Sequence, residues 1–173
     1  MRGEGRVAPP PFLSGPWATR RGKHRAGSEK RPRSGVTYVV YMSVSVSTMF
    51  IPVHDADEAL GFYRDALGLE VRMDVSSNGF RWVTVGAPGQ DVDIVLFPPH
   101  GGRSQTEGDA LLTLVTQGSL QAAIFAADDL DATFEQVRAA GAEILQEPAD
   151  QPWGARDCAV RDPSGNLVRI AQA

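Results

Sequence analysis

The chain has 173 residues, 42% of them apolar, which fits one globular domain with a hydrophobic core. Its formal charge of -4 is uneven: residues 1–41 carry nine Lys and Arg against two Glu, and the remainder carries eight Arg, no Lys and nineteen acidic residues. The acidic part is a poor match for nucleic acid, which we exclude as a partner. No apolar run has the length of a membrane span or a secretion signal. The single cysteine, Cys158, cannot form an internal disulfide, so we expect a cytoplasmic protein.

Residues 1–41 form a basic segment rich in Gly, Pro and Arg. Such a composition buries too little apolar surface to offset the entropy of ordering the chain. We therefore predict a disordered tail at residues 1–41. One interpretation is an arm that contacts an anionic surface. The other, which we favour, is an extension translated from upstream of a true start at Met42.

The next stretch, residues 44–99, predicts a strand, a helix and three further strands. Its first segment, 44–53, alternates polar and apolar residues, as a strand with one buried face does. The helix is predicted to begin with Asp55 as its N-cap and to end at Gly68. The further strands are predicted at 69–75, 80–85 and 92–97.

The same order of strands and helix restarts after residues 100–110. This linker is polar and rich in helix- and strand-breaking residues, a composition that predicts a mobile surface loop. Residues 53–57 match residues 127–131 at an offset of 74, and Leu96 matches Ile170 at the same offset. We therefore predict an α+β domain at residues 44–172, with related units at 44–99 and 111–172. In the second unit we predict strands at 120–126, 143–145, 156–161 and 167–171, a helix from 128 to 140, and an additional strand candidate at 111–116.

Three stretches carry a resemblance to a known family: Pro52-Val53-His54-Asp55 leading into Phe62-Tyr63-Arg64-Asp65-Ala66-Leu67-Gly68, Gln151-Pro152-Trp153-Gly154, and Asp162-Pro163-Ser164-Gly165-Asn166. Together they resemble the vicinal oxygen chelate superfamily, which includes glyoxalase I, extradiol dioxygenases and the bleomycin resistance proteins. The resemblance implies two βαβββ modules whose mixed sheets curl into a central cup for a small molecule. It also implies a homodimer, since a second copy often completes the cup. Gly68 and Gly165 are expected to have positive φ.

Metal-dependent members of that family place four His or Glu ligands on the first and last strands of the modules. The corresponding positions here are Thr48, Val95, Ala122 and Arg169. None suits a divalent cation, and the guanidinium of Arg169 would repel one. We therefore predict no metal and no cofactor, with a non-standard divalent metal site as the alternative.

Strand alternation predicts which side chains face the cup. The lining is mainly apolar with one cation and one carboxylate, which suits an organic ligand with an anionic or aromatic group. Arg169 is the expected anchor for a carboxylate or phosphonate; pairing with Asp93, or a position at the rim, is the alternative. Trp153 is interpreted as either a pocket rim or a structural plug, and Trp82 as core or interface. The candidate ligand-binding residues are Thr48, Phe50, Asp93, Val95, Phe97, Ala122, Ile124, Trp153 and Arg169.

Three functions fit these patterns. We expect a metal-free protein that sequesters or carries a small organic molecule, as resistance members of the family do, rather than an enzyme, and we assign no catalytic residue. The alternative is a metal-dependent lyase, isomerase or dioxygenase with a non-standard site. A third is a protein-binding module whose cup is filled by Phe50, Phe97 and Trp82.

Overall fold

The computed structural model describes residues 44–77 and 79–173, and Val46–Ala173 forms one compact unit. The predicted disordered tail, residues 1–41, lies outside the described residues. Among those residues, no helix has the length and apolar character that crossing a membrane requires. In chain order, the elements are β1 (Thr48–Pro52), α1 (Ala56–Leu60) continued by a π-helical segment (Gly61–Ala66), β2 (Glu70–Ser77), β3 (Phe80–Gly86), β4 (Asp93–Phe97), α2 (Gln105–Thr116), β5 (Gln121–Ala127), α3 (Leu130–Ala139), β6 (Glu143–Asp150), β7 (Arg156–Arg161) and β8 (Leu167–Gln172).

The strands form two four-stranded mixed sheets with the same internal order. The first sheet is β1-β4-β3-β2 and the second is β5-β8-β7-β6. In each sheet, the first and last strands of the module run parallel and the other neighbours run antiparallel. This topology confirms the α+β class and the duplicated βαβββ unit. Within the described residues the two sheets are separate, so they are not closed into a single cup.

Local sequence signals explain where the first helix begins and ends. The Asp55 carboxylate accepts hydrogen bonds from the backbone N–H groups of Asp57 and Glu58, at 2.8 and 2.9 Å, and so caps α1. After the π-helical segment, Gly68 has a φ of 74°, and Gly165 has a φ of 104° in the β7–β8 turn. The predicted N-cap and both positive φ values are confirmed.

Helix α2 crosses the predicted boundary between the linker and the second module. It is capped by Ser104, whose hydroxyl accepts from the Glu107 N–H while the Glu107 carboxylate accepts from the Ser104 N–H. The predicted loop is therefore wrong for residues 105–110, and the predicted strand at 111–116 is wrong. The cause is this capping box, which starts a helix ahead of the apolar side chains that follow, including the fully buried Val115.

One hydrophobic core serves both sheets. It combines helix side chains with alternate residues of β1, β3, β4, β7 and β8. Each sheet therefore has a core face and an opposite face, which we call the outer face. Since both sheets turn one face to the same core, their outer faces point away from it. Core residues on the strands include Ile51, Val83, Val85, Ile94, Leu96, Cys158, Val160, Val168 and Ile170.

The two modules are joined by a buried hydrogen-bond network around Asp162, in the turn between β7 and β8. Asp162 Oδ2 accepts from the Tyr63 hydroxyl at 2.8 Å and from Asn166 Nδ2 at 2.9 Å. Asp162 Oδ1 accepts from the N–H groups of Ser164 and Asn166, at 3.0 and 2.8 Å. Asn166 Nδ2 also donates to the carbonyl of Pro52 at 2.8 Å. The turn of the second module is thus bonded to both β1 and the helical segment of the first.

Candidate functional site

An aromatic cluster, Phe50, Trp82 and Phe97, lies on the outer face of the first sheet. Phe97 stacks on Trp82 with ring centroids 6.3 Å apart and planes 16° apart, and Phe50 meets Phe97 edge-on at 6.1 Å. The Arg103 guanidinium lies 5.0 Å from the Phe97 ring centroid. Phe97 is 6% exposed whereas Phe50 is 49% exposed. The cluster therefore exposes the ring of Phe50 at the surface, where it packs against the buried ring of Phe97.

A charged pair lies farther along the same face. Asp93 accepts a hydrogen bond from Arg72 Nη1 at 2.7 Å. Arg72 also donates to the carbonyls of Val92 and Ala87, at 3.1 and 3.0 Å, and so holds the β3–β4 loop. Asp93 is therefore paired with Arg72, and the alternative, an ion pair between Asp93 and Arg169, is wrong.

A polar cluster, Gln146, Gln151, Asp157 and Arg169, lies on the outer face of the second sheet. Asp157 Oδ2 accepts from Arg169 Nη1 at 2.8 Å, and Asp157 Oδ1 accepts from the side-chain amides of Gln151 at 2.8 Å and Gln146 at 3.5 Å. The Asp157 side chain is 7% exposed and that of Arg169 is 29% exposed. Sequence reasoning found Arg169 but missed Asp157. Alternation along β7 was the available signal, because it sets Asp157 on the face opposite the core residue Cys158.

Two exposed apolar side chains belong to the surroundings of the polar cluster. Ile124 is the cross-strand partner of Arg169 and is 72% exposed. Trp153 is 68% exposed on the β6–β7 turn, which is closed by a 2.7 Å hydrogen bond from the Gln151 N–H to the Ala155 carbonyl. An indole so exposed does not fit the structural plug considered above.

The structure divides the candidate residues between the two sheets. Ala122 was predicted to face the cup beside Ile124, but it lies at an irregularity in the β5–β8 register and packs against the core. Its predicted orientation is wrong, because an extra residue at such a bulge interrupts the alternation. Thr48, Phe50, Asp93, Val95 and Phe97 share the outer face of the first sheet, whereas Ile124 and Arg169 share that of the second.

The residues at the family's four ligand positions do not fit a metal ion. Thr48 offers one hydroxyl, Val95 and Ala122 offer no donor atom, and Arg169 is a cation paired with Asp157. Within residues 44–77 and 79–173, no three His, Cys, Asp or Glu side chains are grouped as a metal site would need. The donor set therefore disagrees with the metal that part of the family uses.

A half-open cavity of about 240 Å³ lies near the start of α1, and none of the candidate residues lines it. Its one guanidinium, that of Arg81, already bonds Asp57 at 2.9 Å and Asp74 at 2.7 Å. The Asp55 carboxylate caps α1. These groups support the fold, and we assign the cavity no function. Its lining residues are Val53, His54, Asp55, Ala56, Gly79, Phe80, Arg81 and Pro98.

Two βαβββ modules around one core, each with a chemically distinct outer face, define a duplicated α+β protein of the glyoxalase fold class. Residues 45–170 match the family described as the Glyoxalase/Bleomycin resistance protein/Dioxygenase superfamily. The chain therefore belongs to this superfamily, the vicinal oxygen chelate superfamily that its motifs resemble.

Individual known proteins are similar to this chain in sequence and in structure. The chain is 31% identical to the uncharacterised protein YurT of Bacillus subtilis over 133 residues, which cover 76% of the chain and 99% of YurT. It is similar to the crystal structure of UcmS2, with 31% identity, a TM-score of 0.68, and coverage of 75% of the chain and 98% of UcmS2. It is also similar to TnmS3, an antibiotic binding protein from Streptomyces sp. CB03234, with 27% identity, a TM-score of 0.59, and coverage of 76% and 98%. Small-molecule binding is thus present among its structural neighbours.

Proposed function

We propose that the protein binds a small, planar organic molecule on its outer faces, as a sequestering or carrier protein that needs no metal and catalyses no reaction. The observation that carries this proposal is the aromatic cluster. Three rings contact one another on a face that takes no part in the shared core, and Phe50 is half exposed there. Such rings offer a stacking surface to a planar ligand at low conformational cost. Similarity to the antibiotic binding protein TnmS3 supports the proposal.

The outer face of the second sheet adds a hydrogen-bonding polar cluster to the aromatic surface of the first. In the register of the two sheets, Trp82 and Phe97 correspond to Asp157 and Ala171. The first module therefore carries two rings where the second carries the Asp157 carboxylate and the small Ala171 side chain. Ligand sites are commonly lined by apolar and aromatic side chains, with a few polar groups that fix orientation. The two faces together have that composition.

The test uses naphthalene-2-carboxamide, an uncharged planar probe, titrated into the full chain by calorimetry. Replacing Phe50 with Ala should raise the dissociation constant about tenfold, since an aromatic contact contributes about 0.5–1.5 kcal/mol beyond its buried area. Leu114→Ala, which removes an exposed apolar side chain of α2, is the matched control and should bind as the wild type does.

The same titration after dialysis against EDTA should give an unchanged affinity, because the proposed site uses no metal. Loss of binding after EDTA would instead favour the metal-dependent alternative. Full affinity in Phe50→Ala would remove the aromatic cluster from the site.

We further propose that two copies form a homodimer. The outer faces of one chain point away from their shared core, so they do not enclose a ligand between them. A second copy would set the aromatic cluster of one chain opposite the polar cluster of its partner. The exposure of Phe50, Ile124 and Trp153 supports this arrangement. Sedimentation velocity should show one dimeric species, and a monomer at every concentration would contradict the proposal.

We also propose a cytoplasmic location. The single thiol, Cys158, is buried and free, which suits a reducing compartment. Burial raises the pKa of that thiol, so it stays protonated and unreactive. Cell fractionation would test the location, and recovery of the protein outside the cytoplasm would contradict it.

A further inference from the structure

We propose that Asp157 determines the charge preference of the ligand site: by holding Arg169 in a neutral pair, it selects uncharged hydrogen-bond acceptors over anions. This inference rests on the proposed function and specifies the class of its ligand. The favoured ligand is a planar molecule that bears a carbonyl group, such as an aromatic amide. The expectation that Arg169 anchors a carboxylate is revised accordingly.

Asp157 and Arg169 are joined at 2.8 Å, and the carboxylate is almost fully shielded from solvent. The pair therefore has no net charge. An anion that approached Arg169 would be attracted by the guanidinium and repelled by the carboxylate directly behind it, while also losing its hydration. An uncharged acceptor has far less hydration to lose.

Arg169 keeps hydrogen-bond donors that are available to a ligand. Within the described residues, Nη1 is the one nitrogen of the Arg169 guanidinium with a hydrogen-bond acceptor. Its Nε and Nη2 atoms carry three further N–H groups. A carbonyl oxygen can accept from them without disturbing the bond to Asp157. The exposed Ile124 beside Arg169 adds apolar contact for the rest of a planar ligand.

One carboxylate contacts both Arg169 and the neighbouring turn. Asp157 also accepts from Gln151, whose backbone closes the turn that carries Trp153. The same carboxylate therefore orients the guanidinium and restrains the turn with the exposed indole. Asp157→Asn keeps an oxygen for the Gln151 amide and removes the negative charge. This substitution isolates the electrostatic part of the role.

The experiment compares two probes of the same shape, naphthalene-2-carboxamide and naphthalene-2-carboxylate, titrated into the full chain. The wild type should bind the amide about tenfold more tightly than the carboxylate, and Asp157→Asn should reverse that preference because Arg169 becomes an uncompensated cation. Asp131→Asn is the matched control: it also frees an arginine, Arg156, from an ion pair at 2.8 Å, but outside the proposed site. It should leave the preference as in the wild type.

The double variant Asp157→Asn with Arg169→Gln has no charge at this position. It controls for the possibility that the single variant Asp157→Asn misfolds. It should bind the amide about tenfold more weakly than the wild type and show no reversal. Equal binding of both probes by the wild type, or an Asp157→Asn variant with the wild-type preference, would overturn the inference and leave the proposed function standing. An equal reversal in Asp131→Asn would overturn the assignment to Asp157. If the wild type binds neither probe, the proposed function falls together with the inference.

Discussion

Replacing Asp162 with Ala should lower the free energy of unfolding by about 3–5 kcal/mol, the cost expected when the charged centre of a buried hydrogen-bond network is removed. Asp162 is 4% exposed and accepts four hydrogen bonds, from Tyr63, from the Ser164 backbone, and from both the backbone and the side chain of Asn166. Alanine would leave all four donors without this acceptor. Urea denaturation of the full chain measures the loss.

Tyr63→Phe provides a graded comparison, because it removes one of the four donors and leaves the carboxylate in place. Burial, followed by the charge and hydrogen bond of Asp162, raises the pKa of Tyr63 well above its ordinary value, so the hydroxyl is a donor at neutral pH. Its loss should cost about 1–2 kcal/mol. Asp131→Asn, at an exposed ion pair, should leave the melting temperature unchanged. Equal losses for Asp162→Ala and Tyr63→Phe would mean that Asp162 is not the centre of the network.

Replacing Gly165 with Ala should destabilise the protein by about 3 kcal/mol, combining backbone strain with a steric clash. Gly165 has a φ of 104°, which side chains rarely allow, and an added Cβ would lie 2.6 Å from the carbonyl oxygen of Val115. That carbonyl belongs to the last turn of α2, and the Val115 side chain is fully buried, so the helix cannot easily move away. Thermal and urea denaturation should agree on the loss.

Gly68→Ala is the matched control for this prediction. Gly68 has a φ of 74°, but nothing lies within 4 Å of an added Cβ. The cost should be about 1–2 kcal/mol, from the left-handed backbone alone. The difference between the two variants measures the close approach of the β7–β8 turn to α2. If both variants lose the same stability, that contact carries no energy.

Much of the fold was predictable because strand alternation and glycine positions are local properties. The strand at 156–161 has the predicted bounds, the cap at Asp55 follows from its place before an apolar helix, and the turn at Gly165 follows from the five residues 162–166. Helix α2 was not found, because Gly108 and the polar residues before Leu111 hide its apolar period. Only the Ser104 and Glu107 pair marked its start.

The candidate site was predictable only where alternation is regular. Phe50 and Phe97 were placed correctly on one face, and Trp82 joins them from β3, where the sequence favoured core or interface. Ala122 was misplaced because a bulge depends on how two strands pair. The partner of Arg169 was missed because Asp157 lies two residues out of direct cross-strand register.

The separation of a shared core from two outer faces has an evolutionary consequence. Stability resides in residues such as Ile51 and Ile170, which are fully buried in the shared core, whereas Phe50 and Ile124 lie exposed on the outer faces. Substitutions at the exposed positions of those faces alter the surface chemistry at little cost to folding. A duplicated module begins with two identical faces, and here one carries the aromatic cluster and the other the polar cluster. Selection can therefore change one face at a time while the scaffold is inherited intact.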